Sequence, residues 1–389
     1  MGLLRMMVKT LNIDEKVEAG RTVLRVAAAT AVNTVGDVID HIHQNYTDSE
    51  CLVDVGAESS SDSDCDNNEV EVEGVDIEGP HKKLADIEPF LKMAMYAYKD
   101  RDMDKKFPFV TKSKLVKDVK HPTLLFPERD ITTDTEVHVC VLEDGSLAFA
   151  FRGTECRLQD LQSLLGDVMT DLLKAQVPVE LYNAGDDVAY HGTPSIRAHQ
   201  GFQIALRDVT KTARPDENLR LVAEGLGVQT PHVRRVICIG HSLGGALATL
   251  CAQWCRYVAY PKAEIWCVTI GSPRVGNGAF AKDFNNNVVN KGKSYRVVNK
   301  GDVVPGVPLF DGICKVFTRY KHVDGLIYLI EDPTREGTIT LKCGGRHRSL
   351  HIPNFDDHHC KSYRQSVKKA LAAFSHHRPH RISLPLFCH

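Results

Sequence analysis

The stretch "VICIGHSLGGALATL", residues 236–250, constrains the fold of this chain more than any other. Four apolar residues run directly into a serine flanked by glycines, and a helical pattern of small residues follows. A serine on a sharp strand-to-helix turn of this kind is exposed for nucleophilic attack, and its neighbouring glycines permit close backbone packing. The alternative is an ordinary glycine-rich turn in which Ser242 caps the following helix. Other parts of the chain are needed to decide between the two.

The residues on both sides of this turn alternate between strand and helix patterns. Apolar runs predict strands at 235–239, 264–270 and 294–298, while helical patterns cover 243–258 and 361–374. Upstream, "TEVHVCVLEDGSLAFAFRGT" predicts a hairpin that turns at Asp144-Gly145. Strands alternating with helices indicate an α/β fold, with a mostly parallel central sheet and helices on both faces.

An acid and a histidine follow the serine in the order that a nucleophilic triad of this fold class requires. Asp302 comes just after strand 294–298, at the sheet edge where open α/β folds carry their active groups. His358 and His359 stand ahead of the last helix. A turn-forming aspartate and a polar helix entry are the non-catalytic alternatives for these residues.

Six ordered motifs resemble those of the class 3 lipases, the fungal triacylglycerol-lipase type. They are "AFAFRGT" (148–154), "DVMTDL" (167–172), "AHQGF" (198–202), "GHSLGGALA" (240–248), "TIGSPRVGNGAF" (269–280) and "RVVNKGDVVPGVP" (296–308). Val168 departs from the family pattern, which has a tryptophan there. The resemblance runs from about residue 82 to 374 and implies the α/β-hydrolase fold with a lid segment.

The resemblance also implies a role for each matched residue. Ser242 is expected to attack an ester carbonyl, a histidine to take its proton, and Asp302 to orient that histidine. The backbone N–H of Leu243 is expected to bind the oxyanion, and Thr154 to complete the oxyanion hole with its N–H and hydroxyl. Asp357-His358 followed by Tyr363 fits the family spacing, so His358 is the expected base and His359 the alternative.

The segment after Thr154 bears on the substrate. Within "ECRLQDLQSLLGDV" the apolar residues fall on one face of a short helix. They are Leu158, Leu161, Leu164, Leu165 and Val168. By resemblance this helix is a lid that opens on lipid, and the alternative is an ordinary helix packed on the core.

The expected activity is hydrolysis of glycerolipid esters, as in a triacylglycerol or diacylglycerol lipase. The second hypothesis is a phospholipase A-type hydrolase or an acyltransferase with the same site. The third hypothesis is a lipase-like regulatory module without turnover. The complete set of triad residues disfavours this hypothesis.

The terminal segments lie outside the resemblance. Residues 1–47 are predicted to form a helical appendage, 48–81 an acidic disordered linker, 82–374 the lipase domain and 375–389 a tail. The stretch from Asp48 to Pro80 holds twelve Asp and Glu and no Lys or Arg, which leaves the remaining chain basic. Four linker acids, Asp62, Asp64, Asp66 and Glu73, follow the spacing of a calcium loop. Asn67 stands where such a loop needs glycine, so a solvated tether is the preferred interpretation.

Composition and cysteine usage bear on compartment and partners. The twelve cysteines show no CxxC pair or zinc-like spacing, so free thiols and a cytoplasmic location are expected, with peripheral contact to membranes or lipid droplets. No secretory signal and no membrane-spanning run is predicted. No cofactor, metal or nucleic-acid partner is expected, and the oligomeric state is left open.

Overall fold

The computed structural model describes eight segments of the chain, all within the compact unit Val75–His389. They are residues 78–117, 135–153, 176–185, 188–290, 292–307, 320–331, 339–343 and 355–376. Several predicted features lie outside the described residues. They are the appendage 1–47, the linker up to residue 77 with its calcium-like spacing, Thr154, the lid segment 155–168 and the tail from residue 377.

The described residues form six α-helices and fourteen strands. The helices are α1 (Glu78–Tyr96), α2 (Gln200–Lys211), α3 (Leu219–Gly225), α4 (Leu243–Trp254), α5 (Gly278–Asp283) and α6 (Cys360–His376). The strands are β1 (Val110–Lys117), β2 (Glu136–Leu142), β3 (Leu147–Phe151), β4 (Gln176–Pro178), β5 (Glu180–Leu181), β6 (Tyr190–His191), β7 (Arg197–His199), β8 (Arg235–His241), β9 (Glu264–Ile270), β10 (Gly276–Asn277), β11 (Ser294–Asn299), β12 (Tyr320–Lys321), β13 (Leu326–Glu331) and β14 (Ile339–Cys343). Within these ranges, no helix has both the length and the apolar character that crossing a bilayer requires.

Eight strands form the central sheet, in the order β1-β2-β3-β8-β9-β11-β13-β14. The five strands from β3 to β13 are parallel to one another, while β1 and β2 at one edge and β14 at the other pair antiparallel. Short strands outside this sheet form a four-stranded sheet, β12-β10-β7-β4, and the pair β5-β6. The predicted mostly parallel central sheet is confirmed.

Helices cover both faces of the sheet because the central strands are apolar on both sides. Along β8, Val236 and Cys238 face a core shared with α2 and α4. Ile237 and Ile239 face the opposite core, which α1 and α6 cover. This alternation is the period of two expected of a strand buried on both faces.

Two predicted domain boundaries differ from the helix ends in the structure. Helix α1 begins at Glu78, so residues 78–81 of the predicted linker are helical. Proline is tolerated in the first turn of a helix, which explains why Pro80 does not delay its start. Helix α6 continues to His376, two residues beyond the predicted end of the domain.

Close packing between α4 and β3 depends on a glycine. A Cβ atom at Gly244 would lie 2.5 Å from the carbonyl oxygen of Phe151 and 2.8 Å from the carbonyl carbon of Arg152. Both contacts are with backbone, which cannot move aside without separating the helix from the sheet. Helix α4 therefore sits at a distance from β3 that only glycine allows.

We expect Gly244→Ala to lower the free energy of unfolding by at least about 2 kcal/mol, the usual scale for overpacking a core. Urea denaturation monitored by circular dichroism measures the change. The matched control is Gly225→Ala in α3, where a Cβ meets no atom within 4 Å. That control should be neutral or stabilising by up to about 1 kcal/mol. Equal effects of the two substitutions would contradict the packing argument.

Candidate active site

Ser242 occupies a strained turn between β8 and α4. Its backbone has φ 58° and ψ −130°, and among the described residues it is the one non-glycine residue with positive φ. Its N–H donates to the carbonyl of Ile270 at 2.9 Å, which ties the turn to β9. A strained serine at a strand-to-helix junction is the geometry of a nucleophile elbow.

Two flanking glycines make room for this turn. A Cβ at Gly240 would overlap the carbonyl group of Gly244, and one at Gly245 would lie 2.7 Å from the Ser272 Cβ. The sequence pattern around Ser242 therefore has a steric cause. The capping alternative does not describe the turn, because the Ser242 side chain makes no capping hydrogen bond to α4.

The structure brings His358 and Asp302 to Ser242. His358 lies in a short 3-10 turn, Phe355–His358, just ahead of α6. Its Nε2 is 2.8 Å from Ser242 Oγ, and its Nδ1 is 2.9 Å from Asp302 Oδ2. This geometry lets the imidazole accept the serine proton while the carboxylate orients the ring.

Asp302 is fully buried and held by several donors. The Val304 N–H donates to Oδ1 at 2.9 Å, and the Tyr363 hydroxyl donates to Oδ2 at 2.6 Å. Hydrogen bonds of this kind compensate for the desolvation of a buried carboxylate. They also fix the plane of the carboxylate against the imidazole of His358.

Tyr363 connects this carboxylate to β11. Its hydroxyl accepts from the backbone N–H of Asn299 at 3.1 Å while it donates to Asp302. Burial, followed by the charge of Asp302, raises the pKa of Tyr363 well above its usual value, so the hydroxyl stays protonated. The Asn299 side chain in turn donates to the carbonyl of Asp357 at 3.0 Å. Sequence reasoning used Tyr363 only as a spacing marker and missed Asn299.

The alternative base, His359, points elsewhere. Its Nε2 lies 4.0 Å from Asp356 Oδ1. Of the two adjacent histidines, His358 is the one that the structure joins to Ser242 and Asp302.

Of the two expected oxyanion residues, Leu243 lies within the described residues. Leu243 is the first residue of α4, where backbone N–H groups lack partners within the helix and the helix dipole favours negative charge. Thr154 lies outside the described residues. Its neighbour Gly153 reaches the elbow, since a Cβ there would be 2.6 Å from the His241 carbonyl oxygen and 3.1 Å from the Ser242 Cβ.

Three thiols form the group of described side chains whose spacing would suit a metal ion. The sulfur atoms of Cys238, Cys251 and Cys255 lie within 4.8 Å of one another in the core. Burial raises the pKa of all three well above the usual thiol value, which favours the protonated form over the thiolate that binds metal. These thiols therefore pack as small apolar groups.

The fold and the site together define an α/β-hydrolase with a serine-centred site. A family model described as Lipase (class 3) matches residues 148–312, from β3 through the segment that holds Asp302. Over this segment the chain is similar to the class 3 lipases, which confirms the resemblance drawn from its motifs.

Individual relatives align with smaller parts of the chain. A secreted mono- and diacylglycerol lipase A of Penicillium cyclopium is 41% identical over 81 residues, covering 21% of this chain and 24% of the relative. A chloroplastic phospholipase A1-Igamma1 of Arabidopsis thaliana is 28% identical over 187 residues, covering 46% and 34%. The chain thus spans between a quarter and about a third of these two relatives. The solved lipase of Rhizopus microsporus var. chinensis is 22% identical, covers 71% of this chain and 86% of its own, and has a TM-score of 0.46.

We expect Tyr363→Phe to lower the free energy of unfolding by about 1–3 kcal/mol, because it leaves the buried Asn299 N–H without its acceptor and removes one of the two hydrogen bonds that Asp302 Oδ2 accepts. Urea denaturation at pH 7 measures the loss. Tyr260→Phe is the matched control, since the buried Tyr260 hydroxyl meets no hydrogen-bond partner among the described residues. A loss at Tyr363 no greater than that of the control would contradict this account of Asp302.

The buried His241 beside Ser242 gives stability a pH dependence of known sign. Desolvation, then the neighbouring His358, lowers the pKa of His241 to about 3. The unfolded chain takes up this proton near pH 6.5, whereas the folded chain does not, so stability falls as the pH drops from about 6.5 towards 3. The contribution of this one group is about 1.4 kcal/mol per pH unit.

His241→Gln removes that titration. The free energy of unfolding of this variant should fall less steeply between pH 6 and pH 4 than that of the wild type, by about 1.4 kcal/mol per unit. Urea titrations at several pH values give the slope of unfolding free energy against pH for the wild type and for the variant. Every other titrating group contributes equally to both slopes, so their difference reports His241. Identical slopes would show that His241 titrates normally in the folded protein.

Proposed function

We propose that this protein is a serine carboxylic ester hydrolase acting on glycerolipids. The observation that carries the proposal is the continuous contact from Ser242 Oγ through the His358 ring to Asp302, at 2.8 Å and 2.9 Å. The match of residues 148–312 to the class 3 lipase family model supports the same conclusion.

The reaction would proceed in two acyl-transfer steps. Ser242 Oγ attacks the ester carbonyl as its proton passes to His358 Nε2, and His358 then gives that proton to the departing alcohol. The tetrahedral oxyanion is bound by the N–H of Leu243 and by Thr154. Water, activated by the same imidazole, then cleaves the acyl-enzyme and frees the fatty acid and Ser242.

Two observations support glycerolipids as the substrate class, one from a relative and one from the sequence. The Penicillium relative is named a mono- and diacylglycerol lipase. The apolar stripe from Leu158 to Val168, next to the expected oxyanion residue, favours long acyl chains. We propose that residues 155–168 form a lid, and that the enzyme works at the surface of a membrane or lipid droplet.

The cellular setting and domain division belong to the same proposal. The seven described cysteines are free, which fits a reducing, cytoplasmic compartment. An appendage at 1–47 and an acidic tether after it would precede the catalytic domain.

Hydrolysis of phospholipids is the second candidate. The relative that aligns over 187 residues is named a phospholipase A1. The basic character of the chain outside the acidic stretch would favour anionic lipid surfaces.

The test is labelling with an active-site serine phosphonate followed by peptide mapping, together with turnover of short- and long-chain p-nitrophenyl esters. We expect the label on Ser242 and faster turnover of long-chain esters. Triacylglycerol and diacylglycerol emulsions, compared with phospholipid vesicles, separate the two substrate candidates.

Paired variants test the individual roles. Ser242→Ala and His358→Gln should lower kcat by about 10,000-fold or more, whereas His359→Gln should retain turnover. Activity that survives Ser242→Ala would overturn the site assignment. Loss of activity with His359→Gln but not His358→Gln would reverse the choice of base.

A further inference from the structure

His241, between Gly240 and Ser242, lies against the catalytic histidine. It is buried, and its ring stacks on the ring of His358 with centroids 4.8 Å apart and planes inclined by 30°. The mechanism above does not use this residue. Its position next to both the nucleophile and the base raises the question of what it does for them.

The hydrogen bonds of His241 determine where its proton lies. Its Nε2 is 2.8 Å from the backbone carbonyl oxygen of His358. A carbonyl oxygen only accepts, so Nε2 must carry the hydrogen and donate it. In a neutral imidazole Nδ1 is then an acceptor, and the Tyr98 hydroxyl 2.6 Å away donates to it.

Neutrality of His241 also matters for the base. During the reaction His358 becomes an imidazolium, and a second cation stacked 4.8 Å away would oppose this charge. Burial keeps His241 uncharged above about pH 3, because it lowers the pKa of the ring to that value. The ring can therefore contact the base closely without repelling its charged form.

Tyr98 makes a second contact near the reacting atoms. A Cβ atom at Gly153 would overlap the Tyr98 hydroxyl, so this hydroxyl packs directly on the chain just before Thr154. Tyr98 follows α1, 143 residues before His241, and is thus anchored independently of the elbow. One side chain touches both the elbow and the segment that leads to the expected oxyanion residue.

We propose that Tyr98 and His241 are positioning residues for the acyl transfer proposed above, on which this inference rests. The hydrogen bond from His241 holds the backbone of His358, and hence the distance from its Nε2 to Ser242 Oγ. Tyr98 holds the tautomer of His241 that can make this hydrogen bond, and it keeps the chain before Thr154 in contact with the elbow.

Three variants distinguish a positioning role of His241 and Tyr98 from a role in packing alone. His241→Leu keeps an apolar group but loses the donor to His358. His241→Gln retains one donor and one acceptor, and Tyr98→Phe loses only the hydroxyl. Tyr257→Phe is the matched control, since it removes a half-buried hydroxyl that donates to Asp283 at 2.7 Å, at the far end of α4 from Ser242.

The measurements are kcat and KM on a long-chain p-nitrophenyl ester, the rate of phosphonate labelling at Ser242, and the melting temperature of each variant. We expect His241→Leu to lower kcat and the labelling rate about 100-fold, the scale of a misplacement of about 1 Å, with KM within about twofold of the wild type. Tyr98→Phe should lower kcat about tenfold. His241→Gln should recover most of the loss seen with His241→Leu, and Tyr257→Phe should keep wild-type kcat.

Each outcome has one interpretation. Folded His241→Leu protein with wild-type kcat would overturn the positioning role while leaving the proposed function intact. So would a His241→Gln variant as impaired as His241→Leu, because rescue requires the hydrogen bond. A wild-type protein without turnover or labelling would instead overturn the proposed function.

Discussion

The backbone conformation of Ser242 is the constraint on which the rest of this site depends. A serine at φ 58° is strained, and this conformation persists because the contacts around the turn hold it in place. Gly240 and Gly245 leave space on either side of the turn, and the hydrogen bond to the Ile270 carbonyl ties it to the neighbouring strand. With the turn held, Ser242 Oγ lies 2.8 Å from His358 Nε2, and α4 begins at the next residue.

Asp302 and His241 are buried beside this turn, and each is met by hydrogen-bond partners. Asp302 receives donors from a backbone N–H, a tyrosine hydroxyl and the imidazole of His358. His241 is buried next to them as a neutral ring with one donor and one acceptor satisfied. Hydrogen bonds of this kind hold the groups in place, which keeps the distances between them short without help from a substrate.

Sequence reasoning found the residues that belong to local motifs and missed those that depend on distant packing. Ser242 and Asp302 each follow a buried apolar strand, so their shared edge of the sheet could be predicted, and the spacing to Tyr363 indicated His358 over His359. Asn299 and Tyr98 carry no such signal, because nothing near them in the chain shows which side chains they meet. Strand β1 was missed because half of it is exposed and "VTKSKLVK" lacks a clear apolar run. The start of α1 was missed because acidic residues there resemble the linker before it.

The separation of the site residues along the chain has a consequence for folding. Ser242 and His358 are 116 residues apart, and Tyr98 and His241 are 143 apart. Contacts this remote form only after long loops have closed, which makes them late and slow compared with local helices. The proposed reactivity at Ser242 would therefore report that helix α1, the parallel sheet and helix α6 have all come together. A refolding chain would recover its helical signal well before it became reactive.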